Sequence, residues 1–244
     1  MEKMELDMQL KSKVISIMQP TYFPWIGYFH LINSSDIFIL YNDTQLSRRS
    51  WQLRNRIKTS NGELFLSIPI KKSDSRDNLL IKNAEINYDY NDWKKKHLLS
   101  IEHSYKKSPF FEKIFPRVEL FFDKSPKYLT QLTIPIIVSI VELLEIKTKI
   151  ILSSDIDYEG RKEDAIISIC ESFNVKKYLS VRGSKDYIQP NQSKFQDKGI
   201  EIIWQDFTHP VYKQLHGNFI PFMGIIDALF NIGVDATKKL IKLE

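Results

Sequence analysis

The sequence predicts an α/β protein with a mostly parallel, Rossmann-like sheet and a helical insertion. Three features support this fold class. Two short apolar runs, Val14–Met18 and Ile37–Leu40, end at turn-forming residues, helical periodicity fills residues 91–146, and strands alternate with helices after residue 149. Such alternation is typical of parallel sheets with right-handed crossovers. We therefore expect one α/β domain over residues 14–244, with the helical insertion at 91–146.

The first predicted strand, Val14–Met18, leads into a constrained loop. Pro20 and Pro24 exclude both a continued strand and an early helix, and Gly27 allows a close backbone approach before a short helix begins. In open α/β sheets, ligands bind beyond the carboxyl ends of the strands. The alternative is a structural plug, since aromatic side chains beside prolines also close the end of a sheet. The candidate site residues of this loop are Gln19, Tyr22, Trp25, Tyr28 and His30.

The second predicted strand is followed by Asp43 and then by the most basic loop of the chain. An arginine fork suits a phosphate or a carboxylate, and Trp51 offers a stacking surface for a planar ring. The alternative is a solvated loop. Asn61-Gly62 then predicts a tight hairpin, and residues 71–77 are expected to form a mobile loop. The loop residues concerned are Arg48, Arg49, Trp51, Arg54, Asn55 and Arg56.

The helical block contains the second candidate base of the chain. His97 and His103 are six residues apart, so a helix of 3.6 residues per turn separates them around its axis and they cannot chelate one metal. His103 is the candidate acid–base residue, because histidine titrates near neutrality. A lone histidine on a half-apolar helix is otherwise structural. Pro109, Pro116, Pro126 and Pro135 divide the block into further helical segments, the longest at residues 127–145.

After residue 149 the sequence predicts strands near 150–152, 177–180 and 200–204, with helices at 161–173 and near 195–198. Arg182, Gly183, Ser184 and Lys185 follow the second of these strands and open a helix, so backbone N–H groups and two cations can face an anion there. The alternative is a simple turn. Asp155-Ile156-Asp157 resembles a paired-acid metal motif, but so short a match arises by chance, and no metal site is predicted.

Composition limits the class of protein. The 244 residues are 43% hydrophobic and 27% charged, which is ordinary for a globular protein. The single cysteine, Cys170, cannot form an internal disulfide, which suits a reducing compartment. Residues 1–13 carry mixed charge without an apolar core, and no run of about 18 apolar residues occurs. We expect a flexible extension at 1–13, no membrane span and a cytoplasmic location.

Charge and motifs point to a small-molecule partner. The net charge of +5 attracts phosphates, but the basic residues are dispersed and accompany no nucleic-acid-binding motif, so a nucleic acid partner is not expected. The phosphate-binding, dinucleotide-binding, nucleophile-elbow, zinc-protease and paired-cysteine motifs are also absent. No cofactor is therefore implied. We expect a phosphate-bearing small-molecule substrate, and the sequence leaves the oligomeric state open.

The pattern Gln-Pro-x-Tyr-x-Pro-Trp-x-Gly-Tyr-Phe, from Gln19 to Phe29, resembles the opening of the WbqC-like family. That family is associated with genes for bacterial O-antigen and other surface polysaccharides. The resemblance implies a biosynthetic role on polysaccharide sugars, as a transferase, without roles for particular residues. It continues through Asp43, Trp51, residues 54–57, 93–96, 101–111, 219–221 and 226–227.

Three functional hypotheses follow. The first is transfer of an acyl or aminoacyl group to a nucleotide-linked amino sugar, which needs a base, groups that polarise a carbonyl and an anchor for phosphates. The second is a nucleotidyltransferase-like enzyme, although Trp25 and Tyr28 stand where its paired histidines would lie. The third is a non-catalytic scaffold. Under the first hypothesis His103 or His30 is the base, Gln19 and Asn55 orient the carbonyl, and Arg54, Arg56, Arg182 and Lys185 are the anchors.

Overall fold

The computed structural model describes residues 13–47, 50–72 and 78–242. Residues 1–12 of the predicted extension, Arg48 and Arg49 of the basic loop, and residues 73–77 of the predicted mobile loop lie outside the described residues. The described chain divides into two compact units. The sheet unit comprises residues 13–19, 30–41 and 147–208, and the hairpin unit comprises residues 20–29, 42–146 and 209–242. The expectation of one domain over 14–244 stays a prediction.

The sheet unit is built on five parallel strands: β1 (Val14–Met18), β2 (Ile37–Leu40), β5 (Lys149–Leu152), β6 (Lys177–Ser180) and β7 (Glu201–Trp204). Their order in the sheet is β5-β2-β1-β6-β7. This arrangement confirms the predicted α/β fold class and places β1 at the centre of the sheet. Ile15 and Ile17 of β1 are buried, and the Ser16 hydroxyl between them donates a hydrogen bond to the Leu179 carbonyl at 2.9 Å.

Helices pack their apolar side chains against this sheet. Cys170 on α5 (Glu163–Ser172) is fully buried among isoleucines, and burial raises the pKa of its thiol to about 12, so the thiol is an inert core group. Helix α1 (Ile26–Asn33) begins in the hairpin unit and ends in the sheet unit. The remaining helices of the sheet unit are α6 (Lys185–Ile188) and α7 (Gln192–Asp197).

The hairpin unit contains two antiparallel strands, β3 (Arg54–Thr59) and β4 (Gly62–Ser67), joined at the predicted Asn61-Gly62 turn. Gly62 has a φ of 100°, which a residue with a side chain rarely adopts. Arg56 pairs with Phe65 across the ladder. Four helices complete the unit: α2 (Trp93–Tyr105), α3 (Phe111–Asp123), α4 (Thr130–Leu143) and α8 (Ile225–Lys242). Helices α2, α3 and α4 occupy the block 91–146.

Helix α8 bends at Gly233, whose φ of 78° interrupts the helical backbone. A Cβ at this position would lie 2.6 Å from the Phe110 ring, so the bend allows α8 to pack against the start of α3. Among the described residues, no helix combines the length and the apolar character that crossing a membrane requires.

Candidate functional site

The sheet unit places several predicted site residues after adjacent strands. The strand order reverses between β1 and β6, which is the position where open α/β sheets bind ligands. Gln19 directly follows β1, and Arg182 lies two residues after β6. Because Val14 pairs with Lys177, extending this register brings Gln19 level with Arg182. These two predicted residues therefore end neighbouring strands at the same edge of the sheet.

The predicted anion site at residues 182–185 has modest local support. Helix α6 is only four residues long, so it offers a single turn of N–H groups. The Arg182 guanidinium pairs with the Asp206 carboxylate at 2.6 Å, and both side chains are largely exposed. Exposed pairs of this kind contribute little to stability. Lys185, Gly183 and Ser184 are exposed or half-buried, and their role in anion binding stays a prediction.

His30 is held as a neutral buried imidazole. Its Nδ1 lies 2.9 Å from the Gln205 side-chain amide, which donates to it, so the proton is assigned to Nε2. The ring packs against Phe207 at a centroid distance of 4.6 Å, and burial lowers the pKa of His30 despite the opposing charge of Asp206. The side chain is 8% exposed. This environment is that of an oriented, neutral histidine beside the carboxyl end of β7.

In the hairpin unit, Tyr22 is fully buried. Its hydroxyl donates to His97 Nδ1 at 3.1 Å, and burial raises the pKa of the phenol. Trp25 is half-buried and stacks on the His209 ring with an interplanar angle of 11°. Tyr22 therefore serves the core at this position. Asp43 is half-buried in the loop after β2, where the Lys82 N–H donates to the carbonyl of neighbouring Asn42.

Asn55 anchors the loop that follows β1. Its side-chain amide donates to the carbonyls of Tyr22 at 3.0 Å and Phe23 at 2.7 Å, while its oxygen accepts the Arg56 N–H at 2.8 Å. Phe23 has a φ of 41°, so this turn is strained and needs outside support. The amide hydrogens of Asn55 are thus engaged by the backbone, which fits a positioning residue.

Replacing Asn55 with alanine is expected to lower the free energy of unfolding by about 1–3 kcal/mol, because two buried carbonyls lose their donor. Urea denaturation of the variant checks this value. Asn78→Ala is the matched control, since Asn78 is exposed and is expected to change stability by less than about 0.5 kcal/mol. Equal midpoints for the two variants would contradict the anchoring role.

The basic residues of β3 form an aromatic–arginine group with two exposed rings. The Arg54 guanidinium carbon lies 4.6 Å from the centre of the Phe65 ring, and that of Arg56 lies 5.6 Å from the Trp51 ring. Trp51 and Phe65 stack with centroids 6.1 Å apart. Trp51 is 49% exposed and Phe65 is 42% exposed, so both rings offer surface to a ligand.

The two arginines of this group differ in how they are engaged. Arg56 donates from Nη1 to Glu63 Oε2 at 2.7 Å and from Nη2 to the Phe222 carbonyl at 3.1 Å. Both terminal nitrogens of its guanidinium are therefore engaged. Within the described ranges, the buried Nε of both arginines lacks a partner, but the Arg54 guanidinium makes no hydrogen bond or ion pair through its terminal nitrogens either. Arg54 is therefore the better candidate for binding an anion, and Arg56 is the more structural of the two.

An irregular segment, of which only residues 219–221 carry the family pattern, runs along the hairpin. We call residues 209–222 the strap. Lys58 Nζ donates to the Asn218 carbonyl at 2.5 Å, and Leu215 N–H donates to Asn231 Oδ1 at 2.9 Å. His209 accepts the Phe222 N–H at Nε2 and contacts the Pro210 carbonyl through Nδ1, so its proton is assigned to Nδ1. Burial lowers the pKa of His209. His209 thus joins the two ends of the strap, while Lys58 and Asn231 hold its middle.

A buried carboxylate anchors the middle of the strap. Asp227 is fully buried and accepts hydrogen bonds from the hydroxyls of Tyr105 and Tyr212, both at 2.8 Å, and from the Gln214 amide at 2.7 Å. Burial raises the pKa of Asp227, while these donors and the charge of Lys58 oppose the shift. Burial also lowers the pKa of Lys58. Sequence patterns did not indicate this group, because its members are distant along the chain.

His103 lies in a pocket of the hairpin unit. The pocket has a volume of about 370 Å³ and is formed by the hairpin turn, α2 and the strap. His216 shares this pocket, and its Nε2 lies 2.8 Å from the Ser104 carbonyl, to which it donates. Both histidines are exposed. Among the described residues, no group of three or more histidine, cysteine or acidic side chains is placed to hold a metal ion.

The protein thus combines a five-stranded parallel sheet with a β-hairpin that carries the aromatic–arginine group. The chain belongs to the WbqC-like protein family, which it matches over residues 19–239. It is also 31% identical, over 226 residues, to the uncharacterized protein Rv1507c of Mycobacterium tuberculosis, covering 92% of this chain and 96% of that protein. No solved structure matches the chain.

Proposed function

We propose that this WbqC-like protein is a cytoplasmic transferase that adds an acyl or aminoacyl group to a nucleotide-linked amino sugar for a bacterial surface polysaccharide such as O-antigen. The family resemblance supports the pathway, and the aromatic–arginine group supports the substrate class. A nucleotide sugar combines a planar base with phosphates. The exposed rings of Trp51 and Phe65 beside Arg54 combine a stacking surface with an available cation.

Arg54 is the observation that carries this proposal. Among the described residues the terminal N–H groups of Arg54 have no hydrogen-bond or ion-pair partner and are not buried, and a phosphate oxygen is a strong acceptor for such charged donors. Aromatic rings favour stacking with a base, and single stacking contacts contribute about 1–3 kcal/mol. The nucleotide is therefore proposed to lie on β3 and β4, with its base against Trp51 and Phe65 and a phosphate on Arg54.

His103 is the proposed general base. It is exposed in the pocket beside the hairpin, whereas His30 is buried and bonded at Nδ1 to Gln205. In the proposed step, the amine nitrogen attacks the carbonyl carbon of an acyl thioester and a C–N bond forms. The C–S bond breaks, and the proton lost by the amine passes through His103 to the leaving thiolate. The predicted role of Gln19, at the end of β1 in the sheet unit, stays a prediction of the sequence.

Replacing Arg54 with methionine is expected to weaken binding of a uridine or thymidine diphosphate amino sugar about tenfold or more, because a charge-assisted hydrogen bond contributes roughly 1.5–3 kcal/mol. Isothermal titration calorimetry measures the affinities. Lys95→Met is the matched control, since it removes one positive charge from an exposed position on α2. Lys185→Met tests the sheet unit in the same way. Loss of affinity in Lys185→Met alone would move the phosphate site to residues 182–185.

Transfer itself is tested by mass spectrometry. The protein is incubated with the nucleotide amino sugar and an acyl thioester, and the expected product is the N-acylated nucleotide sugar together with the free thiol. His103→Gln is expected to lower the rate of product formation without preventing binding. Binding without any product, across acyl and aminoacyl donors, would contradict the transferase proposal and favour a nucleotide-binding or scaffold role.

A further inference from the structure

The pocket around His103 differs chemically from the aromatic–arginine group. Among the described residues, neither lysine nor arginine lines it, so it is poorly suited to a phosphate. The same lining has no aromatic ring other than imidazole, so it offers little to a nucleobase. Its walls carry hydroxyl, amide, imidazole and carboxylate groups, which suit a ligand rich in hydroxyl and amine groups. These groups are supplied by Ser60, Asn61, Glu63, Ser100, His103 and His216.

Glu63 contacts the aromatic–arginine group and also lines the pocket around His103. Its Oε2 accepts a hydrogen bond from Arg56 at 2.7 Å, and the residue also lines the pocket. The side chain is 35% exposed. Within the described part of the chain, Oε1 has no hydrogen-bond donor. A carboxylate with one oxygen available can accept a charge-assisted hydrogen bond from an ammonium group. Glu63 therefore supplies a negative charge to an otherwise uncharged or weakly basic pocket.

The spacing along the hairpin suits a single extended ligand. Side chains alternate between the two faces of a strand, and β3 and β4 rise about 3.4 Å per residue. Arg54 pairs with Ser67, so Glu63, four residues along β4, lies on the same face of the hairpin, roughly 14 Å from Arg54. Arg54 belongs to the aromatic–arginine group, and Glu63 lines the pocket. A nucleoside diphosphate sugar has its base at one end, phosphates in the middle and the sugar at the other end. This order matches the order of the surfaces along the hairpin.

We infer that the His103–His216 pocket is the subsite for the amino sugar, and that the Glu63 carboxylate recognises the amine of that sugar. The inference rests on the proposed binding of a nucleotide sugar at Arg54, and it assigns the sugar moiety of that ligand to the pocket. The ammonium group binds Glu63 and releases one proton to solvent, which gives the free amine that attacks the thioester. The sugar hydroxyls face the Ser60, Asn61 and Ser100 side of the pocket. His103 and His216 then flank the nitrogen that reacts.

The test compares three ligands by calorimetry: uridine diphosphate glucosamine, its N-acetyl derivative and uridine diphosphate, with the thymidine series measured alongside. Wild-type protein is expected to bind the free-amine sugar about tenfold more tightly than the N-acetyl sugar. Glu63→Gln is expected to abolish this preference and to retain affinity for the bare diphosphate. Glu119→Gln, at an exposed position on α3, is the matched control and is expected to behave as wild type.

A second variant fills the pocket without touching Glu63. Ser100→Trp is expected to reduce affinity for both sugars to that of the bare diphosphate, whereas Leu99→Trp on the exposed neighbouring position leaves all three affinities unchanged. Equal affinity for amine and N-acetyl sugars in the wild type, with no effect of either pocket variant, would overturn the subsite while nucleotide binding stands. Absence of binding by every bare and sugar-linked diphosphate would overturn the proposed function itself.

Discussion

Replacing Asp227 with alanine is expected to lower the free energy of unfolding by about 3–5 kcal/mol. The carboxylate is fully buried, and its removal leaves the hydroxyls of Tyr105 and Tyr212 and the amide of Gln214 without their acceptor. Lys58 also loses the nearby negative charge that favours its protonated form. Removing one member of a buried charged network costs more than the network contributes, because the remaining groups stay desolvated.

Urea denaturation at pH 7 measures this loss. Asp235→Ala is the matched control, because Asp235 is an exposed aspartate on the same helix, α8. The control is expected to change stability by less than about 0.5 kcal/mol. A loss below about 1 kcal/mol in Asp227→Ala would show that the strap is held in place by its other contacts.

Lowering the pH from 7 to 4 is expected to reduce the stability contributed at His97 by about 3 kcal/mol. Burial lowers the pKa of His97 to about 4 from its ordinary value of 6.5, so the folded protein keeps the ring neutral while the unfolded chain takes up a proton. The stability is therefore fully present above pH 6.5 and is lost as the pH falls towards 4. Each pKa unit corresponds to about 1.36 kcal/mol.

The variant His97→Asn isolates this effect from that of other titrating groups. Asparagine offers an oxygen near the position of Nδ1, which accepts the Tyr22 hydroxyl at 3.1 Å, but it does not titrate. The difference in unfolding free energy between wild type and variant is expected to shrink as the pH falls from 6.5 to 4. A difference that stays constant over this range would contradict a neutral, buried His97.

The sheet was predictable because its signals are local. Val14–Met18 is a continuous apolar run before prolines, as a central parallel strand requires, and the alternation after residue 149 matches β5, β6 and β7. The hairpin was predictable from Asn61-Gly62, because glycine supplies the positive φ of the turn. The position of the strap was not predictable, since Lys58 and Asp227, which bind it, come close to it only through tertiary packing.

The same distinction applies to the candidate site. Trp51, Arg54 and Arg56 were grouped from their closeness in sequence, and the hairpin brings their side chains into one stack with Phe65. Asn55 was predicted to orient a substrate, but its amide binds the backbone of the loop after β1. A residue type states which hydrogen bonds are possible, whereas only packing determines whether the backbone or a ligand uses them.

His216, which shares the pocket with His103, could not be predicted from the sequence either. His216 lies far along the chain, and its approach depends on the left-handed backbone at its own position, where φ is 63°. No periodic pattern marks such a residue. His103 itself stood out from the surrounding helix because of its residue type and the family resemblance. Its role as a base stays a prediction.

The most direct test of nucleotide-sugar binding on the hairpin is a crystal structure of the protein with a uridine or thymidine diphosphate amino sugar. We expect the base against Trp51 and Phe65, a phosphate oxygen on Arg54 and the amine beside Glu63 and His103. Ligand bound at residues 182–185, with the rings and Arg54 unoccupied, would contradict this placement.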